Sequence, residues 1–221
     1  MNYKAIAERL GPRVGVTQEW VFQVLRQAII DGSIPEGTQL KQDEISSALN
    51  VSHIPVREAL RSLESQGLVT IHPNRGAQVT KLSRQALLDM MEIRATLSAM
   101  LLKNGAPQLS QEDYRALDEL ILRQRQEADP FKCEGLNTGF HDLLCSRADN
   151  AVAKLLLEIV HANIDRYLRD SFYSERATRE ISIRGHEDIL AFCRAGDYER
   201  ASEILKKHIM DAVALIPESV K

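Results

Sequence analysis

The sequence predicts a mostly α-helical chain in two parts: a front segment of short helices closing on a small two-stranded hairpin, then an all-α bundle of about six helices. Apolar residues recur at helical spacing almost throughout, as in Val21, Val24, Leu25, Ala28 and Ile29. Strand-like alternation around a turn signal is confined to LVTIHPNRGAQVTKL, residues 68–82. From Ser83 onward only amphipathic helices with readable ends remain.

Composition sets the frame. A chain of 221 residues with 44% hydrophobic and 27% charged side chains is globular and long enough for two small domains. The cysteines Cys133, Cys145 and Cys193 are widely separated and form no CxxC pair, which argues against a disulfide framework or a thiolate zinc site and for a reducing, cytoplasmic setting. No apolar run approaches the roughly 20 residues needed to span a bilayer, and the start MNYKAIAERLG is amphipathic rather than signal-like, so no membrane partner is expected. The net charge of −3 conceals an asymmetry: residues 1–84 hold ten Lys/Arg against eight Asp/Glu, while the remainder holds eighteen against twenty-three. A polyanion would prefer the front half.

Along that half, the helix of residues 18–31 is closed by Gly32, and a Pro35 to Gly37 turn precedes a short helix from about Gln42 with Ile45, Ala48 and Leu49 inward. Asn50 is read as a left-handed stop. Only Asn50, Val51 and Ser52 separate this helix from the next, VSHIPVREALRSLESQGLV, which Ser52 can cap and whose first turn accepts Pro55. His53, Arg57 and Arg61 stand four residues apart on one face, with Val56, Leu60 and Leu63 on another. Two short helices joined by a three-residue turn, then a hairpin around Pro73 to Gly76, make a winged helix-turn-helix. A lone helix with solvated arginines is the plainer reading, but the order helix, helix, turn, helix, wing accounts for every segment from Thr17 to Lys81.

The string VSHIPVREALRSLESQGLV followed by IHPNRGAQV resembles the winged-helix domain of the GntR family of bacterial transcription regulators, with His53 standing where many members carry Arg. Double-stranded DNA is then the expected partner. Ser52, His53, Arg57, Arg61, Arg75 and Gly76 form the candidate DNA-binding set: His53 and Arg57 toward base edges or phosphates, Arg61 toward phosphate, Arg75 beside Gly76 toward the minor groove.

In the second half the expected helices span 84–104, 111–128, 131–148, 151–171, 175–195 and 198–214. Ser110 with Asp113, Asn150 and Asp197 provide starts, and Gly105 and Gly196 provide stops. Asn137 and His141 share a helix face, and His186 and His208 lie on the last two helices, so three imidazoles can converge. Spacing alone leaves open a metal site or three ordinary hydrogen-bonded core histidines; His161 fits no such set and is read as structural.

The segments MMEIRATL, GLNTGFHDLLCSRADN and SIRGHEDILAFCRAGDYERASEILKKHI resemble the signature stretches of the FCD ligand-binding domain of the FadR subfamily, and six helices point to its VanR-like branch. The resemblance implies a divalent metal at Asn137, His141, His186 and His208, and a small carboxylate effector near it, met by Arg94 and Ser98. Asn137 replaces the usual Asp, and Ser98 stands where Glu is common. Three imidazoles and a neutral oxygen suit Zn or Ni, whereas Ca and Mg want carboxylates.

The expected organisation is an N-terminal arm 1–16, a winged domain 17–81, a linker 82–84, an effector-binding and dimerisation bundle 85–216 and a tail 217–221. Together these define a non-enzymatic, ligand-responsive regulator acting as a homodimer on a short palindromic operator. The alternative is a metal-dependent hydrolase or isomerase built on the bundle, but no HExxH-like base accompanies the histidines and the winged half would have no task.

Overall fold

The computed structural model describes residues 3–11, 15–73, 76–172 and 176–215, and the chain divides into two compact units, Met1–Leu82 and Ser83–Lys221. Among the described residues, no helix is long and apolar enough to cross a membrane.

The first unit begins with α1 (Tyr3–Leu10), a helix in the stretch expected as an arm. It buries Tyr3, Ile6 and Ala7 and packs on α2 (Thr17–Ile30) and α3 (Gln42–Leu49). The next helix, α4 (His53–Ser65), seats Val56, Ala59, Leu60 and Leu63 at 0 to 1% exposure against α2 and α3. Each large aliphatic side chain buried this way stabilises the unit by about 1.5–3 kcal/mol before entropy is counted.

The wing differs from expectation by one strand. Strands β2 (Val69–His72) and β3 (Gly76–Val79) form the anticipated hairpin, but β1 (Gln39–Leu40) also pairs antiparallel with β3, giving the order β1-β3-β2. Two residues carry no visible alternation. Their strand exists because the chain leaving the Pro35 to Gly37 turn passes beside β3, where Val79 N–H donates to Thr38 O at 2.9 Å and Gly37 N–H to Val79 O at 2.9 Å.

The second unit comprises α5 (Arg84–Gly105), α6 (Gln111–Gln126), α7 (Pro130–Cys145), α8 (Ala151–Phe172), α9 (Arg176–Arg194) and α10 (Tyr198–Asp211). The last helix packs against α5 and α9, α6 against α7 and α9, and α8 against α5. Two helix starts are those legible in the sequence, Asn150 accepting from Ala153 N–H at 3.0 Å and Asp197 from Arg200 N–H at 3.0 Å; Ser83, not singled out there, also caps α5, accepting from Ala86 N–H at 3.2 Å. Gly105 is needed for close approach, since a Cβ there would sit 2.5 Å from the Ala148 backbone nitrogen.

Ser110 and Asp113 form a reciprocal capping box at the start of α6. The buried Asp113 carboxylate also takes two hydrogen bonds from Arg147, at 2.8 and 3.0 Å, tying α6 to the connection between α7 and α8. The Arg147 hydrogen bonds first, and then the Ser110 backbone N–H, hold the Asp113 carboxyl well below the usual carboxylate range. Its contribution is therefore complete above about pH 4 and is lost as pH falls through the depressed native value. Asp113→Ala is expected to lower the unfolding free energy of the bundle by about 1 kcal/mol in urea titrations at pH 7, with the difference from wild type shrinking on acidification.

Candidate functional sites

The candidate DNA-reading surface is set by the turn. Asn50 is in the left-handed conformation (φ 51°, ψ 53°), and Val51 N–H donates to Ser46 O at 3.0 Å, closing α3 and redirecting the chain into α4. Ser52 has the extended backbone of an N-cap, but its side chain makes no capping hydrogen bond, contrary to the expected cap. The exposed hydroxyl therefore remains on the outer face.

His53, Arg57 and Arg61 project outward from α4, with side chains 62%, 53% and 62% exposed. Glu58 sits 3.6 Å from Arg57 Nε and 3.3 Å from Arg61 Nη1, and Asp43 Oδ1 lies 3.5 Å from His53 Nδ1. Exposed pairs of this kind contribute about 0–1 kcal/mol, so a phosphate displaces them readily. Gly76, with φ 78°, opens β3 at the wing tip; Arg75 lies outside the described residues.

In the bundle, α7, α9 and α10 bring His141, His186 and His208 together. Their ring centroids are 5.1 Å (His141 to His186), 5.5 Å (His141 to His208) and 4.8 Å (His186 to His208) apart. One ligand nitrogen from each lies within 4.8 Å of the others. Metal–nitrogen bonds of about 2.1 Å require the three rings to close in slightly from this spread. Phe140 stacks on His186 at 4.0 Å and fixes its ring plane.

Asn137, one turn before His141, is 8% exposed, and its Oδ1 has no hydrogen-bond partner in the protein. The same is true of His141 Nδ1 and of both His186 nitrogens. Buried donors and acceptors are normally paired, so this concentration of unpaired lone pairs fits a cation.

Arg94 on α5 is 6% exposed, its Nε is sequestered without an acceptor, and no ion pair involves it among the described residues. Ser98, one turn on, is 2% exposed. Burial is the main reason that His141 and His186 are held well below their ordinary pKa, aided by the neighbouring histidines and by Arg94. Burial and then Arg94 bring His208 down to about 4. All three are therefore neutral at pH 7, the protonation state that binds metal.

Two residues beside the cluster escape spacing arguments. His161, read as structural, is 8% exposed with Nε2 unpaired, and its pKa is lowered by burial and then by Arg94. Gly185 leaves the space that His208 fills, since a Cβ there would overlap His208 Nδ1. The available signal was an isolated glycine inside a helical pattern immediately before His186, which suggests close packing. Gly185, Ser182 and His208 also line a groove of about 480 Å³ between α9 and α10.

A helix with an exposed arginine stripe on a helix-turn-helix with a wing, joined to a helical bundle, is the architecture of a DNA-binding regulator. Comparison with known proteins agrees. The "Bacterial regulatory proteins, gntR family" domain matches residues 17–79, and the FCD domain matches residues 89–211. The HTH-type transcriptional repressor RspR of Escherichia coli (strain K12) is 28% identical over 219 residues, covering 98% of this chain and 93% of its own. A solved structure assigned to the GntR regulators, from Rhodococcus sp. RHA1, superposes with TM-score 0.74 at 25% identity, over 90% of this chain and 96% of that one. E. coli McbR/YncC, at 20% identity and TM-score 0.77 over 94% of this chain and all of that one, shares the fold. The chain belongs to the gntR family of transcription regulators, in its FCD-containing FadR subfamily.

Because the native imidazoles are neutral where unfolded ones titrate near 6.5, the stability they allow is complete above about that pH and is lost as pH falls toward the native value, about 4 for His208. Gly185→Ala would by helix propensity alone stabilise α9 by about 1 kcal/mol. It is expected instead to push the His208 ring out of place, and an NMR titration should then show the His208 pKa rising toward 6.5 with the helical circular dichroism retained.

Proposed function

We propose that this regulator binds a short palindromic operator as a homodimer, and that its affinity for the operator is set by a small carboxylate bound beside a divalent transition metal in the bundle. The observation that carries the reading is Arg94: a buried guanidinium without an ion pair, electrostatically coupled to the neutral histidines. A buried charge of this kind is costly unless an anion meets it. Asn137, His141, His186 and His208 would hold the metal, with Zn or Ni favoured by three imidazoles and a neutral oxygen. Arg94 and Ser98 would orient the acid. The metal supplies Lewis-acid attraction for a carboxylate oxygen when bound.

On the DNA side, Arg57 and His53 would read base edges, Ser52 and Arg61 would hold phosphates, and Arg75 with Gly76 would follow the minor groove. Two copies are needed because one winged domain makes too few contacts for a selective genomic site. The stripe Val152, Leu155 and Leu156 on α8, 69%, 57% and 47% exposed, supports association through the bundle. The effector would act by binding one arrangement of the winged domains better than another, with residues 80–84 as hinge. Among the described residues, the group of possible metal ligands consists of the three histidines.

Operator titrations test the DNA half. Arg57→Ala is expected to weaken specific binding by about 1–3 kcal/mol and relax sequence preference, whereas Arg61→Ala should weaken all DNA about equally and reduce the salt slope by about one. Unchanged sequence preference in Arg57→Ala would remove it from the base-reading set.

Elemental analysis tests the metal. About one divalent transition metal per chain is expected, lost on His141→Ala, His186→Ala or His208→Ala, strengthened by Asn137→Asp, and released below about pH 6 as protons compete for the imidazoles. A metal-free wild type that still binds its effector would leave Arg94 as the sole anchor.

A further inference from the structure

We propose that the effector is a dianion, a small dicarboxylate or an acid of equal charge, and that the amide at Asn137 sets this requirement. The inference rests on the reading of the bundle as a metal-dependent carboxylate sensor and adds the charge that the sensor demands.

The count begins with the groups that face the site. Arg94 places a full positive charge in the interior and forms no salt bridge among the described residues. Imidazoles hold a metal as neutral ligands, so His141, His186 and His208 add no charge to the count. Asn137 offers an unpaired Oδ1, a dipole without a charge. A divalent cation and one guanidinium therefore make three positive charges in a desolvated space.

Among the described residues the only buried acid is Asp113, already engaged by Arg147 at 2.8 and 3.0 Å. Asp142, coupled to Arg94, and Asp211, coupled to His208 and held by Lys207 at 2.7 Å, are exposed.

Buried charge left uncompensated is strongly unfavourable. With a carboxylate at position 137, a monoanionic ligand would leave the site one charge positive. With the amide, a monoanion leaves it two charges positive, and a dianion returns it to one. The second acidic end also has a polar group available to meet it. His161 Nε2 on α8 is buried without a partner. Helix α8 packs on α5, which bears Arg94.

Calorimetry on the zinc-loaded full-length protein tests the requirement with two pairs of acids matched in length, malate with 2-hydroxybutyrate and succinate with butyrate. Wild type is expected to bind the dianion of a pair at least about tenfold more tightly, a difference of about 1.4 kcal/mol. Asn137→Asp, which supplies the missing charge, should shrink that preference about tenfold while raising zinc affinity. Equal binding of both acids of a pair to wild type overturns the dianion and leaves the sensor intact; that comparison needs no variant. An unchanged ratio in folded Asn137→Asp overturns the role of Asn137. If zinc is held stoichiometrically and none of the four acids binds, the carboxylate-sensor reading falls and the dianion with it.

Discussion

The bundle is organised around the burial of Arg94. A guanidinium cannot shed its proton under any condition in which the chain folds, so its charge must be accommodated by what surrounds it. The surroundings are imidazoles, and the same burial that makes the guanidinium costly keeps those imidazoles uncharged. Each positive group discourages the others from ionising, with the result that one permanent cation sits among four histidines that stay neutral at pH 7. Lone pairs with no protein donor and a cation with no protein acceptor then occupy the same interior. Such an arrangement suits a site that receives both a metal and an anion better than a core built for stability alone.

The histidines are held by packing rather than by hydrogen bonds. Phe140 stacks on His186, Gly185 makes room for His208, and α7, α9 and α10 each contribute one ring. Away from the cluster the bundle follows ordinary rules, with capped helix starts and the Asp113 to Arg147 pair tying α6 to the chain before α8. Stability therefore comes from elements remote from the site, which leaves the site free to carry unsatisfied polar groups. A separation of this kind is common where binding requires local strain on the energy balance.

The two halves use charge in opposite ways. On α4 the arginines are solvated and lightly tethered by Glu58, so they cost little to hold and little to redirect onto phosphate. In the bundle the buried Arg94 has no such freedom. Surface charge favours rapid, salt-sensitive association with a polyanion; buried charge favours a particular small anion through desolvated contact.

Much of this was legible in the residues. The turn Asn50-Val51-Ser52, the amphipathic faces of α4, the capping box at Ser110 and Asp113 and the six helices of the bundle are local features, written in propensities, caps and periodicity over a few turns of chain. The convergence of His141, His186 and His208 was open from spacing and was pointed to by family resemblance. Tertiary structure decided the rest, because it depends on groups far apart in sequence. The strand Gln39–Leu40 exists only because β3 lies beside it. The Ser52 hydroxyl is not used as a cap. Gly185 matters through a ring on another helix, and His161 is buried with an unpaired Nε2. Sequence determines what each helix can present; only the packed bundle decides which polar groups are buried together, since desolvation and unmet hydrogen bonds are properties of the assembled interior.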